Sequence, residues 1–420
     1  MSDLESFRVD PIAFLRGLSE CEGDVARFRL GRHRLTLLVH PEAIRAVLVT
    51  AAASFVKGPG LLRSRPLLGD GLLTSDGPAH ASDRRALLPA FSTTAALGEY
   101  ARTMADAIRG VSSGWRDGQE VDVHREMAAL ALDIATRCFF GRPTGRQEAD
   151  AIRGALSDAI RAGYGALAPA DERPPRAAAA AALSMIRDIA GAALTGGCPA
   201  HTRVTDGLDA TDETCRLDHA VTLLIGGHES IAIALSWTWM LLSRHAECRA
   251  ALEAEAAAAN RESDPYELSR NLPHARAVLA ETLRLFPPAW MISRRATEAV
   301  EIPGGRIEAG EIVVLAPCVT HVDERWFDDP QTFRPERWLG GFRPARNAYF
   351  PFGSGPRLCV GEPFAWLEGI LALSSIAREW RIDVPADFAP EWSALVTLRP
   401  ASVMPAIVQH LAAAPVSGSG

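Results

Sequence analysis

The chain has 420 residues, of which 48% are hydrophobic and 23% charged, ordinary values for a globular protein with a sizeable core. Its formal net charge of −7 argues against a general nucleic-acid binder, which would carry a basic stripe. The only lysine is Lys57 and every other basic side chain of the Lys/Arg type is arginine, a bias that fits a GC-rich genome.

The cysteines and the first residues favour a reducing cytoplasm. Seven cysteines are widely spaced, and no Cys-x-x-Cys pair suggests zinc, redox or c-type haem chemistry. The start, MSDLESFRVDPIAFLRG, lacks the charged-then-apolar layout of a signal peptide. The apolar stretch 230–243 is shorter than the roughly 20 residues that span a bilayer. We therefore expect a cytoplasmic protein that neither binds nucleic acid nor spans a membrane.

In chain order, two short strands come first, RFRLG and HRLTLLV, and a helix follows His40-Pro41. Helical patterns dominate from about Asp83 to Arg244, interrupted by a breaker-rich loop at 168–176. Turn-rich, strand-like sequence returns at 299–314, and a final helix near 362–380 precedes short strands and a small-residue tail. Since no repeat or long linker is visible, we expect one mostly helical domain over 1–420.

The segment FGSGPRLCVG, which ends at Gly361, carries the clearest chemistry. At the start of a helix the Cys359 thiolate is favoured, because the helix N-terminus lowers a thiol pKa and the following N–H groups can bond to the sulfur. Such a thiolate can bind a haem iron. In that case Gly355 and Gly361 allow tight backbone turns close to the porphyrin, and Phe352 can cover the face of the ring that is turned toward the sulfur. Arg357 can reach a propionate. The alternative is a structural cysteine in a Gly/Pro-rich loop.

This segment resembles the haem-binding loop of the cytochrome P450 family, Phe-x-x-Gly-x-Arg-x-Cys-x-Gly, without a departure. The resemblance implies that Cys359 binds the iron of haem b (iron protoporphyrin IX). It extends over nearly the whole chain, because further family signatures follow in the expected order. Glu281-Thr-Leu-Arg284 looks like the Glu-x-x-Arg pair, whose charges share a helix face. By resemblance, Arg337 of FRPERW joins Glu281 and Arg284 in a buried structural network.

Another signature lies in a long apolar helix: Gly226-Gly227-His228-Glu229-Ser230. It resembles the family's oxygen-binding Ala/Gly-Gly-x-Asp/Glu-Thr. Each glycine costs a helix about 1 kcal/mol relative to alanine, and close approach of a flat cofactor would explain both. The Ser230 hydroxyl can bond back to the Gly226 carbonyl and open a groove for dioxygen, and Glu229 can relay protons. A zinc site of the His-Glu-x-x-His type is excluded because Ala232 replaces the second histidine.

Three residues are candidate propionate anchors. His80 and Arg84 stand i, i+4 and can present two donors on one helix face, matching the family's His-x-x-x-Arg. Arg294 matches a third propionate ligand, with Arg295 as the alternative if the register shifts by one. For each residue alone, a surface role is the competing interpretation.

The resemblance places the substrate pocket at five segments rich in leucine, proline and valine: 61–73, 163–173, 223–229, 287–292 and 396–401. With Trp290 and Met291 among them, these walls suit an apolar ligand with few polar anchors. Each segment could equally be ordinary core.

The implied fold is mainly α with a small β region, the helical triangular prism of cytochromes P450 around a buried haem. The implied function is a haem-thiolate monooxygenase that uses dioxygen to hydroxylate or epoxidise a small-to-medium apolar substrate in bacterial secondary metabolism. No Gly-x-Gly-x-x-Gly fingerprint follows a strand, so a ferredoxin and its reductase should supply electrons, docking near Arg343 and Arg346.

Two alternatives stay open. Serine at position 230, where the family usually has threonine, leaves room for peroxide-driven, desaturating, ring-coupling or isomerising chemistry on the same fold. A non-enzymatic haem-binding protein is the other, although it would not need the oxygen groove.

Overall fold

The computed structural model of the protein describes residues 2–164, 176–195, 212–260 and 262–411. Helices dominate these ranges. In chain order they are α1 (Asp3–Val9), α2 (Pro11–Glu22), α3 (Pro41–Arg45), α4 (Pro59–Leu62), α5 (Arg65–Leu68), α6 (Gly77–Ser92), α7 (Thr94–Ser112), α8 (Val123–Phe140), α9 (Arg146–Tyr164), α10 (Arg176–Thr195), α11 (Glu213–Arg244), α12 (Ala246–Ala258), α13 (Pro265–Ser269), α14 (Pro273–Leu285), α15 (Pro317–Thr320) and α16 (Glu362–Glu379).

Short strands form a minor β region. They are β1 (Val25–Leu30), β2 (His33–Leu38), β3 (Phe55–Lys57), β4 (Gln119–Asp122), β5 (Ile292–Ala296), β6 (Val300–Ile302), β7 (Gly305–Ile307), β8 (Ile312–Leu315), β9 (Trp380–Asp383), β10 (Trp392–Ala394), β11 (Leu398–Pro400) and β12 (Pro405–His410). The largest sheet has the order β1-β2-β8-β5-β3, with β2 and β8 parallel and the other neighbours antiparallel. The smaller sheets are β4-β12-β9, β10-β11 and β6-β7.

Helix α11 runs through the middle of the core. Its N-cap is Asp212, whose side chain accepts hydrogen bonds from the N–H groups of Thr214 and Cys215. Among the described helices it alone is long and apolar enough to cross a bilayer, but 78% of its apolar window is buried inside the protein. It packs against α8, α10, α14 and α16, and we assign it as a core helix.

The predicted mainly helical class with a small β region is confirmed. Strands β1 and β2, helix α3, the helical region from α6 to α11, the strands β6–β8 and helix α16 all fall where the sequence places them. Helices α1 and α2 were not predicted, although Asp10 before Pro11 is an N-cap signal, and the Asp10 side chain does accept from two N–H groups of α2. The predicted loop at 168–176 lies outside the described residues, apart from its last one.

Candidate active site

The loop around Cys359 is compact because it bonds to itself and packs on a neighbouring helical turn. The Cys359 N–H donates to the Phe352 carbonyl and the Leu358 N–H to the Gly355 carbonyl, each at 3.0 Å. Gly355 has a φ of +71°, and a Cβ at this position would lie 2.0 Å from the Leu48 carbonyl oxygen. Both the left-handed backbone and the close approach require glycine at 355.

The Cys359 sulfur lies just before the start of α16, as predicted. Burial raises the pKa of this thiol, while hydrogen bonds from the N–H groups of Gly361 and Glu362 lower it, and the net shift is upward. A cation at the sulfur would displace the proton, and the two amide donors would then face a thiolate. The backbone of Gly361 does not itself need glycine, because its φ is −85° and a Cβ would lie at an ordinary 3.9 Å from the sulfur.

Cys359 borders an internal space. The residue is surrounded by protein, which desolvates its thiol, but part of its surface is not covered by other atoms. Phe352 lies beside it in the loop, half-buried, with its ring centroid 5.8 Å from that of Trp366. The guanidinium of Arg276 sits 4.5 Å from the centre of the Trp366 ring. Phe352 and Trp366 therefore form an aromatic pair between the cysteine loop and α16, with Arg276 against the Trp366 ring.

Helix α11 borders open space at Gly226 and Ser230. Both are accessible, although the helix around them is buried from Val221 to Leu224 and again from Ile231 onward. The Ser230 hydroxyl donates to the Gly226 carbonyl at 3.5 Å, and a Cβ on Gly226 would meet nothing within 4 Å. The predicted back-bond is present, and the space beside it can take a small molecule.

Gly227 has a different reason to be glycine. A Cβ there would lie 2.6 Å from the Phe139 ring and 3.6 Å from the Ala135 Cβ, both on α8. The expectation that both glycines serve a flat cofactor is therefore wrong in part. Gly226 faces open space, whereas Gly227 lets two core helices approach each other.

Glu229 lies on an adjacent face of α11 and is already held by protein groups. Its carboxylate accepts a hydrogen bond from the Thr397 hydroxyl at 2.9 Å, and a guanidinium nitrogen of Arg399 lies 3.9 Å away. Next to it, the buried His228 ring donates to the Leu224 carbonyl at 2.5 Å. Glu229 therefore links α11 to strand β11 through Arg399 and to the residue just before that strand, Thr397.

Asp76, the N-cap of α6, joins three parts of the chain. Its carboxylate accepts from the Arg357 guanidinium at 3.0 and 2.7 Å and from the Lys57 backbone N–H at 2.6 Å. Arg357 also donates to the carbonyls of Ala52 at 3.1 Å and Phe55 at 2.8 Å. Arg357, which was expected to reach a propionate, therefore directs most of its N–H groups at protein acceptors.

The three predicted anchors lie near this group. His80 is buried, and burial followed by the charge of Lys57 lowers its pKa to about 4. Arg84 donates to the Leu358 carbonyl at 2.5 Å, next to the cysteine. Arg294 is buried and Arg295 exposed, because successive strand residues face opposite sides. Burial, then the charge of Arg357, lowers the pKa of Arg294 to about 10.

Positive charge exceeds negative charge in this cluster. Lys57, Arg84, Arg294 and Arg357 are the cations, and the acidic groups that raise the pKa of Lys57 are Asp76 and Asp83. Buried charge needs a partner of opposite sign. A molecule with two carboxylates would supply it.

Haem b, the group implied by the resemblance, fits these residues. The thiol has two amide donors, the accessible face of α11 leaves room for a ligand, and the surplus of cations matches two propionates. A thiolate-held haem supplies the activation of dioxygen. Cys359 would hold the iron, and the cation cluster would hold the propionates.

The predicted structural network is present in full. Arg284 donates to both carboxylate oxygens of Glu281 at 2.9 and 2.7 Å, with both side chains fully buried. Arg337 donates to the Glu281 carboxylate at 3.0 Å, and the Trp338 indole N–H donates to the same carboxylate at 2.8 Å. Arg284 further donates to the His321 carbonyl at 2.9 Å. These groups satisfy one another, and none of the hydrogen bonds that join them involves Cys359.

A cavity of about 790 Å³ adjoins the Glu229 side of α11. Three of the five predicted wall segments contribute to it, through Glu229, Trp290 with Met291, and Arg399 to Ala401. Segment 61–73 adds none of the described lining, and 163–173 lies almost entirely outside the described residues. Further walls were not predicted, and they come from α1, α8, α9 and β10: Phe7, Val9, His124, Ala128, Arg153, Leu156, Ser157 and Trp392. The walls are more polar than predicted.

Known proteins share this architecture. The cytochrome P450 family model matches residues 6–160 and 208–402. The chain is 34% identical over 396 residues to cyclooctatin synthase of Streptomyces melanosporofaciens, covering 89% of this chain and 85% of that protein. It is 28% identical over 407 residues to pentalenene oxygenase of Streptomyces avermitilis, covering 92% and 90%.

A solved structure agrees in fold. The crystal structure of CYP175A1 from Thermus thermophilus superposes with a TM-score of 0.81 at 30% identity, covering 97% of each chain. With a matching family model over most of the sequence and the cysteine loop in place, the chain belongs to the cytochrome P450 family.

Proposed function

We propose that this haem-thiolate monooxygenase hydroxylates or epoxidises a terpenoid of small to medium size in bacterial secondary metabolism. The single observation that carries the chemistry is the accessible Cys359 sulfur with amide donors from Gly361 and Glu362. Two relatives of the chain, cyclooctatin synthase and pentalenene oxygenase, support the substrate class. Apolar walls at Trp290, Met291 and Leu156 support it further.

Around the cofactor we assign Cys359 as the iron ligand and His80, Arg84 and Arg294 as propionate anchors, with His80 acting as a neutral hydrogen-bond donor. Phe352, Gly355 and Gly361 shape the sulfur side. Arg357 acts mainly through Asp76, since that is where its guanidinium donates. This division of roles is supported by the burial of Arg294 and His80, both of which lie within the electrostatic influence of Arg357 in the thiolate loop.

On the oxygen side we assign Gly226 to the groove and Ser230 Oγ to proton donation, while Gly227 keeps α11 close to α8. Glu229 is assigned as the proton relay between water in the cavity and this side of α11, while the Thr397 hydroxyl and the Arg399 guanidinium hold its carboxylate in place. The hydrogen bond of Ser230 to the Gly226 carbonyl supports this assignment, because it holds the hydroxyl at the open face.

We infer that a ferredoxin with its reductase delivers the electrons and that the protein works in the cytoplasm as one domain over 1–420. Arg343 and Arg346 are exposed just ahead of the cysteine loop. Ferredoxins are acidic, so these arginines offer charge complementarity for docking. A core that joins residues from Leu68 to Val408 in one cluster supports a single domain.

The test of the central assignment is spectroscopic. The ferrous protein with carbon monoxide should show the strongly red-shifted Soret band of a thiolate ligand, and Cys359→His should keep some haem but lose that band. Cys318→Ser, at a buried cysteine outside the loop, is the matched control and should keep it. Survival of the shifted band in Cys359→His would reject the assignment. Terpenoids, polyketides and fatty acids can then be compared by the low-spin to high-spin shift they cause, and only terpenoids should give it fully.

A further inference from the structure

Lys57 occupies a buried position that arginine cannot fill in the same way. It is the only lysine in the chain and is 5% exposed at the end of β3. Its ammonium donates to the carbonyls of Leu72 at 2.7 Å and Ser75 at 2.6 Å. A compact ammonium has three tetrahedrally arranged donors, whereas guanidinium is a larger planar fork. In a chain that otherwise uses arginine, this geometry explains why lysine is used here.

The segment that Lys57 holds, 69–75, lies between β3 and α11. From the other side, the Asp218 carboxylate of α11 accepts the Asp70 N–H at 2.8 Å. The His219 ring accepts the Leu72 N–H at 3.3 Å. The segment leads directly into α6, which carries the anchors His80 and Arg84. Its order therefore depends on Lys57 on one side and on α11 on the other.

The charged groups that act most strongly on Lys57 are Asp76, Asp83, Arg294 and Arg357, all members of the charged cluster beside the cysteine loop. Burial lowers the pKa of Lys57 to about 7, Arg294 and Arg357 act in the same direction, and Asp76 and Asp83 oppose them. His80 is a further titratable neighbour, and the charge of Lys57 lowers its pKa. Without a further anion, Lys57 is therefore only partly charged at neutral pH.

We propose that Lys57 is a positioning residue that links the carboxylate edge of the bound haem to segment 69–75, so that holding the cofactor and ordering this segment become one event. This rests on the anchors proposed above. Two propionates favour the charged ammonium, and by reciprocity a charged Lys57 holds the haem more tightly than a neutral one. Haem binding raises the pKa of Lys57 from its value of about 7. Its contribution is thus complete below pH 7 and is lost as the pH rises through the haem-bound value.

The test uses the holoenzyme and excess apomyoglobin, which captures released haem and reports it by its own Soret band. At pH 6, Lys57→Met should release haem about tenfold faster than the wild type, a change that corresponds to ~1.4 kcal/mol. Release from the wild type should accelerate between pH 6 and pH 9, while release from Lys57→Met should not. The control Arg295→Met removes an exposed charge next to Arg294 and should behave like the wild type.

Amide hydrogen exchange supplies a second readout. In Lys57→Met holoenzyme the amides of 69–75 should exchange faster, while those of α16 stay unchanged. Lys57→Gln retains hydrogen-bond donors but carries no charge. It serves as the second variant in case Lys57→Met fails to fold. The proposal is overturned if both variants retain haem like the wild type, or if haem release rises without a change in exchange at 69–75. A thiolate-type carbon monoxide spectrum in all variants separates this outcome from failure of the Cys359 assignment.

Discussion

The two neighbouring glycines of α11 allow a matched test of how this helix is packed. Replacing either by alanine should stabilise the helix itself by about 1 kcal/mol, because alanine loses less conformational freedom. At Gly226 a Cβ meets nothing within 4 Å, so that gain remains. At Gly227 the Cβ would lie 2.6 Å from the Phe139 ring, a distance at which something must move.

The Phe139 ring cannot move freely. Its centroid lies 4.9 Å from that of Phe364, 5.5 Å from that of Phe91 and 6.1 Å from that of Tyr100. Overpacking a core of this kind costs about 1–3 kcal/mol. The helix gain is common to both variants, so Gly227→Ala should be less stable than Gly226→Ala by the same ~1–3 kcal/mol.

Urea unfolding of the two holoproteins, followed by circular dichroism, measures this difference directly. For a chain of this length the thermal midpoints should differ by only about 1–3 °C, so the denaturant midpoint is the sharper readout. The double variant Gly227→Ala with Phe139→Leu should recover part of the loss, because the smaller side chain makes room. Equal stability of the two single variants, or no recovery in the double variant, would show that the helix contact is not what requires Gly227.

Three further outcomes are expected. Ser230→Thr should raise the ratio of product formed to NAD(P)H consumed, because a β-branched side chain restricts χ1, and Ser230→Ala should lower this ratio. An unchanged ratio in Ser230→Ala would mean that the hydroxyl has no role. Reversing Arg343 and Arg346 to glutamate should slow electron transfer from a surrogate ferredoxin and weaken its salt dependence without moving the haem spectrum, and an unaltered rate would exclude this surface. Arg284→Met leaves the Glu281 carboxylate short of its main partner in a fully buried site and should cost about 3–5 kcal/mol in urea unfolding; a loss near zero would contradict the structural role.

Much of this protein was determined by local sequence. The thiolate loop could be predicted because Phe352, Gly355, Arg357 and Cys359 lie within one short segment, and part of its geometry comes from hydrogen bonds inside that segment. The Ser230 back-bond is equally local, since it spans one helical turn. Helix and strand positions followed from hydrophobic periodicity, which reflects which face of each element is buried.

What remained depended on contacts between distant parts of the chain. Asp76 and Arg357 are 281 positions apart, so no spacing rule pairs them, and the sequence assigned Arg357 to the cofactor alone. Gly227 resembles a cofactor glycine until Phe139 of another helix is seen to fill the space beside it. The cavity next to Glu229 is assembled from elements as far apart as α1 and β11. A motif indicates the chemistry that a short segment can perform. Which side chains contact each other across the core depends on the packing of the whole chain.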